Sequence, residues 1–543
     1  MSELLKTFAN CSTQNAVIQH IRHDAKKELT YGDLRCQSNR FAQYLQSLGL
    51  KTGEFIGLFM IRSSAHVVAM VSALRCGAVF YSIQPKYSIY QIASTIRACR
   101  TSMIISDNAG LIKLSAMEAD LIDGTRFIHF DEDEMAPFQK EALDRLSRRW
   151  EVYSFRSDLN PMRDDIEIEA KRREEEPALA LFTSGSTGAP KGVLVSCEDL
   201  NRRVLSEYEA YRLSSSDRLL NLLPFSFDVG LNQLHSSLRS GAQIVLMNSW
   251  LPQDIAAAVE KYKITGISAV PSIWSDVLSQ RESLLFFSKN SLRYLTVSGG
   301  DMPRRRLQQL RDLFPHADIY KTYGQTEAFR SCMLTPEDFS RKMTSIGRTL
   351  EQTKVYVMTS DGRKAGPNEP GEILHQGMGT MLGYIDDPQA TQRKMRKNPF
   401  SARIDDDLVV FTGDLGKFDD DGYLYFLGRM DDMLKIRGNR IYPKEIEAAL
   451  SVHEEVQESL VLGIKDERDE TQICAVVQLR RGSTVTESEI KKFLSGRLPT
   501  YMAPRWIHFV RAFPRTGSGK IDKKKAAAMI PQTKSNHGND PVL

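Results

Sequence analysis

Apolar and polar positions along residues 30 to 110 follow two periodicities in turn, which predicts helices that alternate with strands. Apolar residues recur at helical spacing in "LTYGDLRCQSNRFAQYLQSLGL" and "AHVVAMVSALRCG", whereas "EFIGLFM" and "SMIISD" are short apolar runs typical of buried strands. Because strands that alternate with helices form a largely parallel sheet, we predict an α/β fold.

The same alternation continues after residue 190, where the apolar runs "QIVLM", "GISAV" and "YLTVSG" end in turns. Ligands of such sheets bind where the strands end, so we expect the functional site there. From about residue 350 the pattern changes, and "KVYVM", "GEILHQG" and "GYLYFLG" predict short strands of a β-rich part. Residues 432–530 have strands and helices of their own and predict a separate domain. The polar stretch 131–176 predicts surface loops and a helix.

Length and composition narrow the classes of function. A chain of 543 residues is longer than one core usually serves, so we expect at least two domains. The 72 Lys and Arg against 68 Asp and Glu give a net charge of +4, which argues against a nucleic-acid partner. The seven cysteines are scattered and form no C-x-x-C pair, which predicts a reducing compartment without a disulfide framework or zinc site. Since no secretory signal is visible and Arg75 interrupts the longest apolar run, we predict a cytoplasmic protein without membrane insertion.

The stretch "LFTSGSTGAPKGVLVS", residues 181–196, combines glycines, hydroxyl residues and one lysine between apolar flanks. Converging backbone N–H groups, hydroxyls and an ammonium are the donors that bind phosphate. The stretch does not fit the common phosphate-loop pattern, because Pro190 precedes Lys191 and Gly192 follows it. We therefore predict a phosphate site on a different fold. The alternative is a flexible surface loop, which the apolar flanks disfavour.

Three further motifs follow in the same chain: "KTYGQTEAF" at 321–329, "TGDLGKFDDDGYLYFLGRMDDMLKIRGNRIYPKEIE" at 412–447 and "PRTGSGKIDKK" at 514–524. Together with the glycine-rich stretch they resemble the adenylate-forming superfamily of acyl-CoA synthetases, luciferases and nonribosomal peptide synthetase adenylation domains. The resemblance runs from "LTYGDL" to Lys520. It implies a large N-terminal domain of parallel α/β subdomains plus a distorted β-barrel, followed by a small mobile α+β domain. The implied bounds are 1–430 and 431–530, with a polar tail at 531–543.

The resemblance also implies the chemistry. These enzymes use ATP and Mg²⁺ to convert a carboxylate into an acyl-adenylate with release of pyrophosphate, and a thiol then takes the acyl group. By resemblance Lys520, Thr326, Glu327 and Lys191 act in catalysis, and Glu327 binds Mg²⁺. Asp431 matches the hinge, and Gly438 the thiol tunnel. The implied ATP-binding residues are Thr183, Ser184, Gly185, Ser186, Thr187, Gly188, Lys191, Gly299, Gly300, Asp301, Tyr323, Gly324, Thr326, Asp414, Arg429 and Lys520.

The substrate prediction depends on "FSFDVGLNQL", residues 225–234. In amino-acid-activating members the matching Asp pairs with the substrate ammonium, so Asp228 favours a small amino acid, glycine or alanine. Arg330 either fills the pocket or pairs with an acidic side chain, and we expect it to pair with Asp228 in the empty site. The rest of the implied pocket is Val229, Asn232, Ser272, Thr296, Ser298, Thr322, Arg330 and Ser331.

Other readings of the substrate and the acceptor stay open. Some acyl-CoA ligases carry similar "FSFD" strings, which leaves a non-amino acid as an alternative, and Asp or Glu is a second one. No carrier domain follows Lys520, so we expect action in trans, on a separate phosphopantetheine carrier protein or on coenzyme A. Gln325 stands where many peptide synthetases have Pro, which favours coenzyme A. The chain also resembles the stand-alone glycine-activating enzymes of bacterial lipid A modification, part of an antibiotic-resistance pathway. His235 and His375 are interpreted as structural.

Overall fold

A computed structural model describes residues 15–20, 26–117, 124–130, 135–156, 167–183, 190–280, 291–401, 408–436, 439–466, 470–517 and 519–530. The first part of the chain alternates strands and helices, as predicted. Its elements are β1 (Asn15–His20), β2 (Lys26–Thr30), α1 (Tyr31–Ser47), β3 (Phe55–Phe59), α2 (Ser64–Arg75), β4 (Val79–Ser82), α3 (Ile89–Ala98), β5 (Met103–Ser106), α4 (Asn108–Ser115), β6 (Arg126–Phe130), α5 (Pro137–Ser147) and β7 (Val152–Phe155). The stretch predicted as loops and a helix also contains β7.

The middle of the chain continues the alternation and carries most of the predicted site. Its elements are β8 (Pro177–Thr183), β9 (Lys191–Ser196), α6 (Cys197–Ala210), β10 (Arg218–Asn221), α7 (Asp228–Ser240), β11 (Gln243–Leu246), α8 (Pro252–Tyr262), β12 (Gly266–Ala269), α9 (Pro271–Ser279), β13 (Tyr294–Val297), α10 (Arg304–Leu313), β14 (Asp318–Gln325), β15 (Ala328–Leu334) and α11 (Pro336–Lys342).

These strands build two large sheets. One has eight strands in the order β19-β9-β8-β4-β3-β5-β6-β7, where β19 is Gly383–Tyr384, and its strands from β8 to β7 are parallel. The other has nine strands in the order β16-β15-β14-β13-β12-β10-β11-β1-β2, where β16 is Arg348–Thr349. It is parallel from β14 to β1 and antiparallel at both edges. The predicted α/β class is confirmed.

Helix α2 explains why the two sheets form one body. All 12 of its residues are buried, and its apolar side chains share one core with residues of both large sheets. The charge that interrupts this apolar run has partners inside the protein: the Arg75 guanidinium donates from Nε to Ser38 Oγ at 3.0 Å and from Nη1 to the Ile168 carbonyl at 3.2 Å. In the part of the chain that the structure describes, no helix is long and apolar enough to cross a membrane.

A third, antiparallel sheet corresponds to the predicted barrel-like part. It is formed by β17 (Thr353–Met358), β18 (Gly371–Gly377), β20 (Met395–Lys397), β21 (Leu408–Phe418) and β22 (Leu424–Arg429), with α12 (Pro388–Lys394) beside it. Strand β21 pairs with β18, β20 and β22, so it lies inside the sheet. Asp414 is in the middle of β21, and its register partner on β22 is Arg429.

The residues after β22 form separate sheets. A 3₁₀ turn, Met430–Asp432, leads into β23 (Leu434–Ile436), β24 (Asn439–Ile441), α13 (Pro443–Ser451), β25 (Val456–Lys465), β26 (Thr471–Leu479), α14 (Glu487–Ser495), a second 3₁₀ turn (Thr500–Met502), β27 (Trp506–Val510) and α15 (Lys523–Ala528). Strands β25, β26 and β27 form a three-stranded sheet with its own apolar core. This is the predicted small α+β domain. The boundary at Asp431 stays a prediction.

Candidate active site

The site lies where parallel strands of the nine-stranded sheet end. Strands β12, β13 and β14 run in parallel register, so their carboxyl ends, near Ala269, Val297 and Lys321, lie side by side. Helices α7 and α9 begin near the ends of β10 and β12. Because all these chain segments leave the sheet at one edge, they bring the predicted Asp228, Ser272, Gly299 and Tyr323 regions into a single crevice.

The predicted ribose-binding carboxylate is held by three side chains. Asp414 is 3% exposed. Its Oδ2 accepts hydrogen bonds from the Tyr323 hydroxyl at 2.7 Å and from Gln325 Nε2 at 2.6 Å, and its Oδ1 accepts from Arg429 Nη1 at 2.9 Å. Burial and the Asp414 carboxylate raise the pKa of the Tyr323 hydroxyl well above its usual value. Tyr323, from the motif at 321–329, therefore meets Asp414 and Arg429, from the motif at 412–447, in one cluster, and their roles in ATP binding stay a prediction.

The "VSGGD" turn after β13 borders this cluster. Gly299 has φ +77°, a left-handed conformation that favours glycine, and a Cβ there would lie 3.1 Å from Cζ of Phe227. A Cβ on Gly300 would contact the Pro271 ring at 3.4 Å. The next residue, Asp301, accepts a hydrogen bond from buried Lys321 at 3.1 Å. Although burial works in the opposite direction, the ammonium groups of Lys321 and Lys444 hold the pKa of Asp301 below its usual range.

On the phosphate side, β8 and β9 form an antiparallel pair in which Thr183 and Lys191 are register partners. Residues 184–189, which include the predicted Ser184, Gly185, Ser186, Thr187 and Gly188, lie outside the described residues. Lys191 Nζ is 5.5 Å from the centre of the Tyr384 ring, and the Tyr384 hydroxyl donates to Glu327 Oε1 at 2.7 Å. The glycine-rich hairpin and the predicted magnesium ligand are therefore joined through one tyrosine ring.

Lys394, which the sequence analysis missed, lies between the two groups of residues. Its ammonium donates to Gln325 Oε1 at 3.1 Å and to the Thr412 carbonyl at 2.9 Å. Burial lowers the pKa of Lys394, and the carboxylates of Glu327 and Asp414 act against that shift. Lys394 stands at the end of α12 in the charged run "TQRKMRKNPF", which carries no motif that would distinguish it from a solvated charge.

Gln325 gains a structural explanation from the same contacts. Its amide nitrogen donates to Asp414 and to the Thr412 carbonyl, and its amide oxygen accepts from Lys394. A proline at this position would offer none of these groups. Thr326 and Glu327 follow in the turn between β14 and β15, and a Cβ on Gly324 would lie 2.3 Å from the backbone nitrogen of Arg330.

The loop that carries Lys520 inserts into the crevice from the small domain. A Cβ on Gly519 would lie 3.0 Å from Ser272 Oγ, and one on Gly517 would lie 2.5 Å from the Gln84 side chain. Lys520 Nζ is 5.9 Å from the centre of the Phe227 ring, next to Asp228. The structure therefore brings Lys520 together with the predicted substrate residues. Asp431 lies in the 3₁₀ turn between the domains, and Gly438 lies outside the described residues.

Asp228 begins helix α7 and is half-buried at the crevice. Its Oδ1 accepts a hydrogen bond from the Val229 N–H at 2.8 Å. Burial raises the pKa of Asp228 above its ordinary value, and the nearby ammonium of Lys520 is the strongest influence in the opposite direction. An anionic carboxylate at this position is therefore under-compensated, and a cation beside it would be stabilised.

The prediction that Arg330 pairs with Asp228 is wrong. The Arg330 guanidinium forms a buried ion pair with Glu207 and donates from Nη1 to the Tyr211 hydroxyl at 2.9 Å. Glu207 belongs to α6, which packs against α7, so it offers a fully buried partner that the sequence does not place near Arg330. Because its charge is already paired, Arg330 is part of the wall and is not a free cation for an acidic substrate.

A second buried ion pair, between Asp199 and Arg203, lies within helix α6. Arg203 Nε donates to Asp199 Oδ2 at 2.5 Å, and Asn232 Nδ2 donates to the Arg203 carbonyl at 3.3 Å. Hydroxyl groups line the other wall of the pocket: Ser298 Oγ is 2.6 Å from Thr322 Oγ1 and 3.3 Å from Thr296 Oγ1.

The two histidines interpreted as structural differ from each other. His375 is fully buried, with Nδ1 2.9 Å from Ser331 Oγ and Nε2 2.8 Å from the Met378 carbonyl. Its ring therefore fixes the Ser331 hydroxyl and the turn after β18. His235 is also buried, but neither of its ring nitrogens has a hydrogen-bond partner among the described residues.

The donor set fits a magnesium ion that binds together with ATP. Glu327 supplies a carboxylate, and Mg²⁺ is usually held by one or two carboxylates together with substrate phosphates. Over the described residues, no group of three or more His, Cys, Asp or Glu side chains could hold a metal by itself. When bound, the ion would neutralise charge on the phosphates of ATP near Glu327.

Two family models match the chain. The AMP-binding enzyme family matches residues 7–385, and the AMP-binding enzyme C-terminal domain matches residues 445–520. The chain belongs to the AMP-binding enzyme family. The predicted superfamily is thereby confirmed, and the protein is an AMP-forming ligase that uses ATP and Mg²⁺ to activate a carboxylic acid.

Relatives of two kinds match this AMP-binding enzyme over most of its length. It is 28% identical to 4-coumarate-CoA ligase 1 of Narcissus pseudonarcissus, covering 93% of this chain and 89% of that protein. It is 27% identical to 2-succinylbenzoate–CoA ligase of Geobacillus sp., covering 94% and 95%. It is also 28% identical to the dimodular nonribosomal peptide synthase of Bacillus subtilis, but the chain spans only 20% of that protein.

Solved structures agree in fold. The ATP-bound MatB of Rhodopseudomonas palustris has a TM-score of 0.79 at 21% identity, covering 96% of this chain and 97% of that one. The amide bond synthetase McbA of Marinactinospora thermotolerans has a TM-score of 0.81 at 21% identity, covering 97% and 98%. Both likenesses extend over the large domain and the small domain together.

Proposed function

We propose that this ligase activates a small α-amino acid, of the size of glycine or alanine, and passes it to the phosphopantetheine thiol of a separate carrier protein. The observation that carries the proposal is the charge balance around Asp228. Behind the pocket Asp199 pairs with Arg203, and Glu207 pairs with Arg330. Asp228 is left as the carboxylate that faces the crevice, so a substrate ammonium would complete the balance.

Two further features support a small substrate. The cavity that Asp228 and Asn232 line measures about 10 Å³, which is room for about one water-sized group. Arg330, which precedes Ser331 in the chain, is buried and held in place by Glu207 and Tyr211. The paired state of Arg330 also disfavours the alternative of an acidic amino acid, because its guanidinium is not available to a second carboxylate.

Each charge of the crevice has a task in the proposed adenylation. The substrate carboxylate attacks the α-phosphate of ATP, the P–O bond to pyrophosphate breaks, and no proton is transferred between the reacting atoms. Lys520, which enters beside Asp228 and Phe227, would neutralise charge between the carboxylate and the phosphate. Lys191 lies on the phosphate side of the crevice. At the other side, the ribose hydroxyls would donate to Asp414 in place of some of its present protein donors.

One observation favours a second candidate, a coenzyme A ligase. The chain covers 89% of 4-coumarate-CoA ligase 1 and 95% of 2-succinylbenzoate–CoA ligase, both of which are coenzyme A ligases by name. Gln325 agrees with that acceptor. The lipid A connection suggested by the resemblance to glycine-activating enzymes stays a prediction.

A two-stage assay tests the proposal. Pyrophosphate exchange is measured with glycine, alanine, leucine, aspartate, hexanoate and benzoate, and AMP and ADP are quantified in the same reactions. We expect exchange with the small amino acids and AMP as the nucleotide product. Exchange with hexanoate or benzoate and with none of the amino acids would contradict the amino-acid substrate. The second stage compares acyl transfer to coenzyme A with acyl transfer to a phosphopantetheinylated carrier protein, and the faster reaction identifies the acceptor.

A further inference from the structure

Helix α7 carries a polar face that continues beyond the predicted pocket. Asp228, Asn232 and His235 stand at positions i, i+4 and i+7, so they lie on one side of the helix. His235 is 4% exposed, and both of its ring nitrogens are without a hydrogen-bond partner among the described residues. A buried polar group without a partner is costly, so this ring is placed to interact with something that enters from the crevice.

Asp228, Asn232 and His235 line the same small cavity. Its volume is about 10 Å³, enough for about one water-sized group. Its polar lining is Asp228, Asn232, His235 and Arg203, and its apolar lining is Leu179, Leu181, Val195, Leu200, Leu231 and Phe329. In the proposed complex, an amino acid whose ammonium is bound by Asp228 would extend a short side chain on the same face of α7 as the imidazole.

The protonation state of the His235 imidazole determines which groups it can bind. Burial lowers the pKa of His235 to about 4, so the ring is neutral at neutral pH. A neutral imidazole has one nitrogen that donates and one that accepts, which matches the donor and acceptor of a hydroxyl group. A methyl group in the same space would leave both nitrogens unpaired.

The surroundings exclude a charged alternative. A carboxylate in the cavity would lie close to Asp228, and Arg203, the cation in the lining, is already paired with Asp199. A side-chain ammonium would compete with the α-ammonium of the substrate for Asp228, and the apolar walls offer it no other anion. The chemistry of the cavity therefore suits a small, neutral group that can hydrogen-bond.

We propose that His235 binds a hydroxyl on the β-carbon of the substrate, so that the enzyme prefers serine to alanine. This inference rests on the proposed function, because it takes Asp228 as the ammonium site. It makes His235 a specificity-determining residue at the end of the pocket.

The test is the ratio of kcat/KM for serine to that for alanine in pyrophosphate exchange. One hydrogen-bonding group is typically worth about a tenfold change, so we expect a ratio of about ten for the natural enzyme. His235→Leu should lower the ratio to about one, whereas His235→Gln, which keeps a donor and an acceptor, should retain part of the preference. Because both substrates are measured on one preparation, the ratio does not depend on how much of a variant is folded.

His129→Leu is the matched control. His129 is also a buried histidine, 1% exposed, but it lies on β6 of the other large sheet and contacts Asn108. Its replacement should leave the ratio unchanged. An equal rate for serine and alanine in the natural enzyme, or a ratio that His235→Leu does not alter, would overturn this inference while leaving the amino-acid substrate intact. Failure of every amino acid in exchange would instead overturn the proposed function, and this inference with it.

Discussion

The two carboxylates at opposite ends of the crevice differ in how many hydrogen-bond donors surround them. Asp414, at the ribose end, accepts hydrogen bonds from Tyr323, Gln325 and Arg429. Asp228, at the acid end, accepts one from the backbone of its own helix. A carboxylate held by three donors is oriented before ATP arrives. One with few donors and a raised pKa depends on the ligand for its counter-charge. The nucleotide end is therefore preorganised, and the acid end is completed by the substrate.

The largest effect should follow from removing the acid-end carboxylate. Asp228→Ala should lower amino-acid-dependent pyrophosphate exchange by roughly two to three decades, because stranding one partner of a buried charge pair costs about 3–5 kcal/mol. ATP affinity, measured by equilibrium binding, should change little. Asp228→Asn, of equal size, separates charge from packing. An Asp228→Asn enzyme with normal amino-acid kinetics would show that the carboxylate does not bind the ammonium.

Lys520→Ala should have the next largest effect. We expect pyrophosphate exchange to fall by about a hundredfold or more, because a charge that stabilises the transition state is lost. Transfer of the acyl group from supplied acyl-adenylate to a thiol should be much less affected. Lys523→Ala, three residues away in an exposed ion pair with Asp432, is the control and should leave exchange near normal. Equal losses in both half-reactions would contradict a role confined to adenylation.

At the ribose end the expected effect is smaller. Asp414→Asn should reduce kcat/KM for ATP by about tenfold, since a charge-assisted hydrogen bond to the ribose becomes a neutral one. The KM for the amino acid should stay close to normal, because Asp228 and Asp414 belong to different ends of the crevice. Kinetics at saturating amino acid and varied ATP measure this change. An effect on the amino acid KM equal to that on ATP would remove the distinction between the two ends.

The smallest effect concerns pH. Burial raises the pKa of Asp228, so this carboxylate takes up a proton at a higher pH than an ordinary Asp, and the ammonium loses its partner. The kcat/KM for the amino acid should therefore fall as the pH decreases through this raised pKa. Because the Lys520 ammonium opposes the shift, Lys520→Ala should move the fall to still higher pH. A pH profile that Asp228→Asn leaves unchanged would assign the titration to another group.

Local patterns predicted the fold well where the apolar runs were continuous. The run "EFIGLFM" became β3 and "SMIISD" became β5, because buried parallel strands need little but apolar side chains. Strand β1, "NAVIQH", was not predicted, because its mixed polar and apolar sequence gives no strand pattern. It forms a strand by pairing with β11, which is more than 200 residues away in the chain. Strand β7 was missed for a similar reason, because it is a half-exposed edge strand.

For the site, the motifs predicted which residues would meet but not how their charges would pair. Tyr323, Asp414 and Arg429 converge as expected. Lys394 and Tyr384 carry no motif, and their distance in sequence from Glu327 hid them. The partner of Arg330 could not be predicted, because Glu207 reaches it only through the packing of α6 against α7. Side-chain pairing depends on tertiary contacts that periodicity does not contain.

The insertion of Gly517, Gly519 and Lys520 into the crevice has a consequence for the proposed acyl-adenylate intermediate. Gly519 lies against Ser272 and Gly517 lies against Gln84, so both glycines of the small domain are packed against the large domain at the crevice. Acyl-adenylates are mixed anhydrides that water destroys. If Lys520 aligns the reactants as proposed, the same contacts would shelter the acyl-adenylate from water, and we expect the small domain to withdraw before a thiol enters. Such timing would limit hydrolysis of the acyl-adenylate, because the activated acid would meet its acceptor only after the small domain has withdrawn.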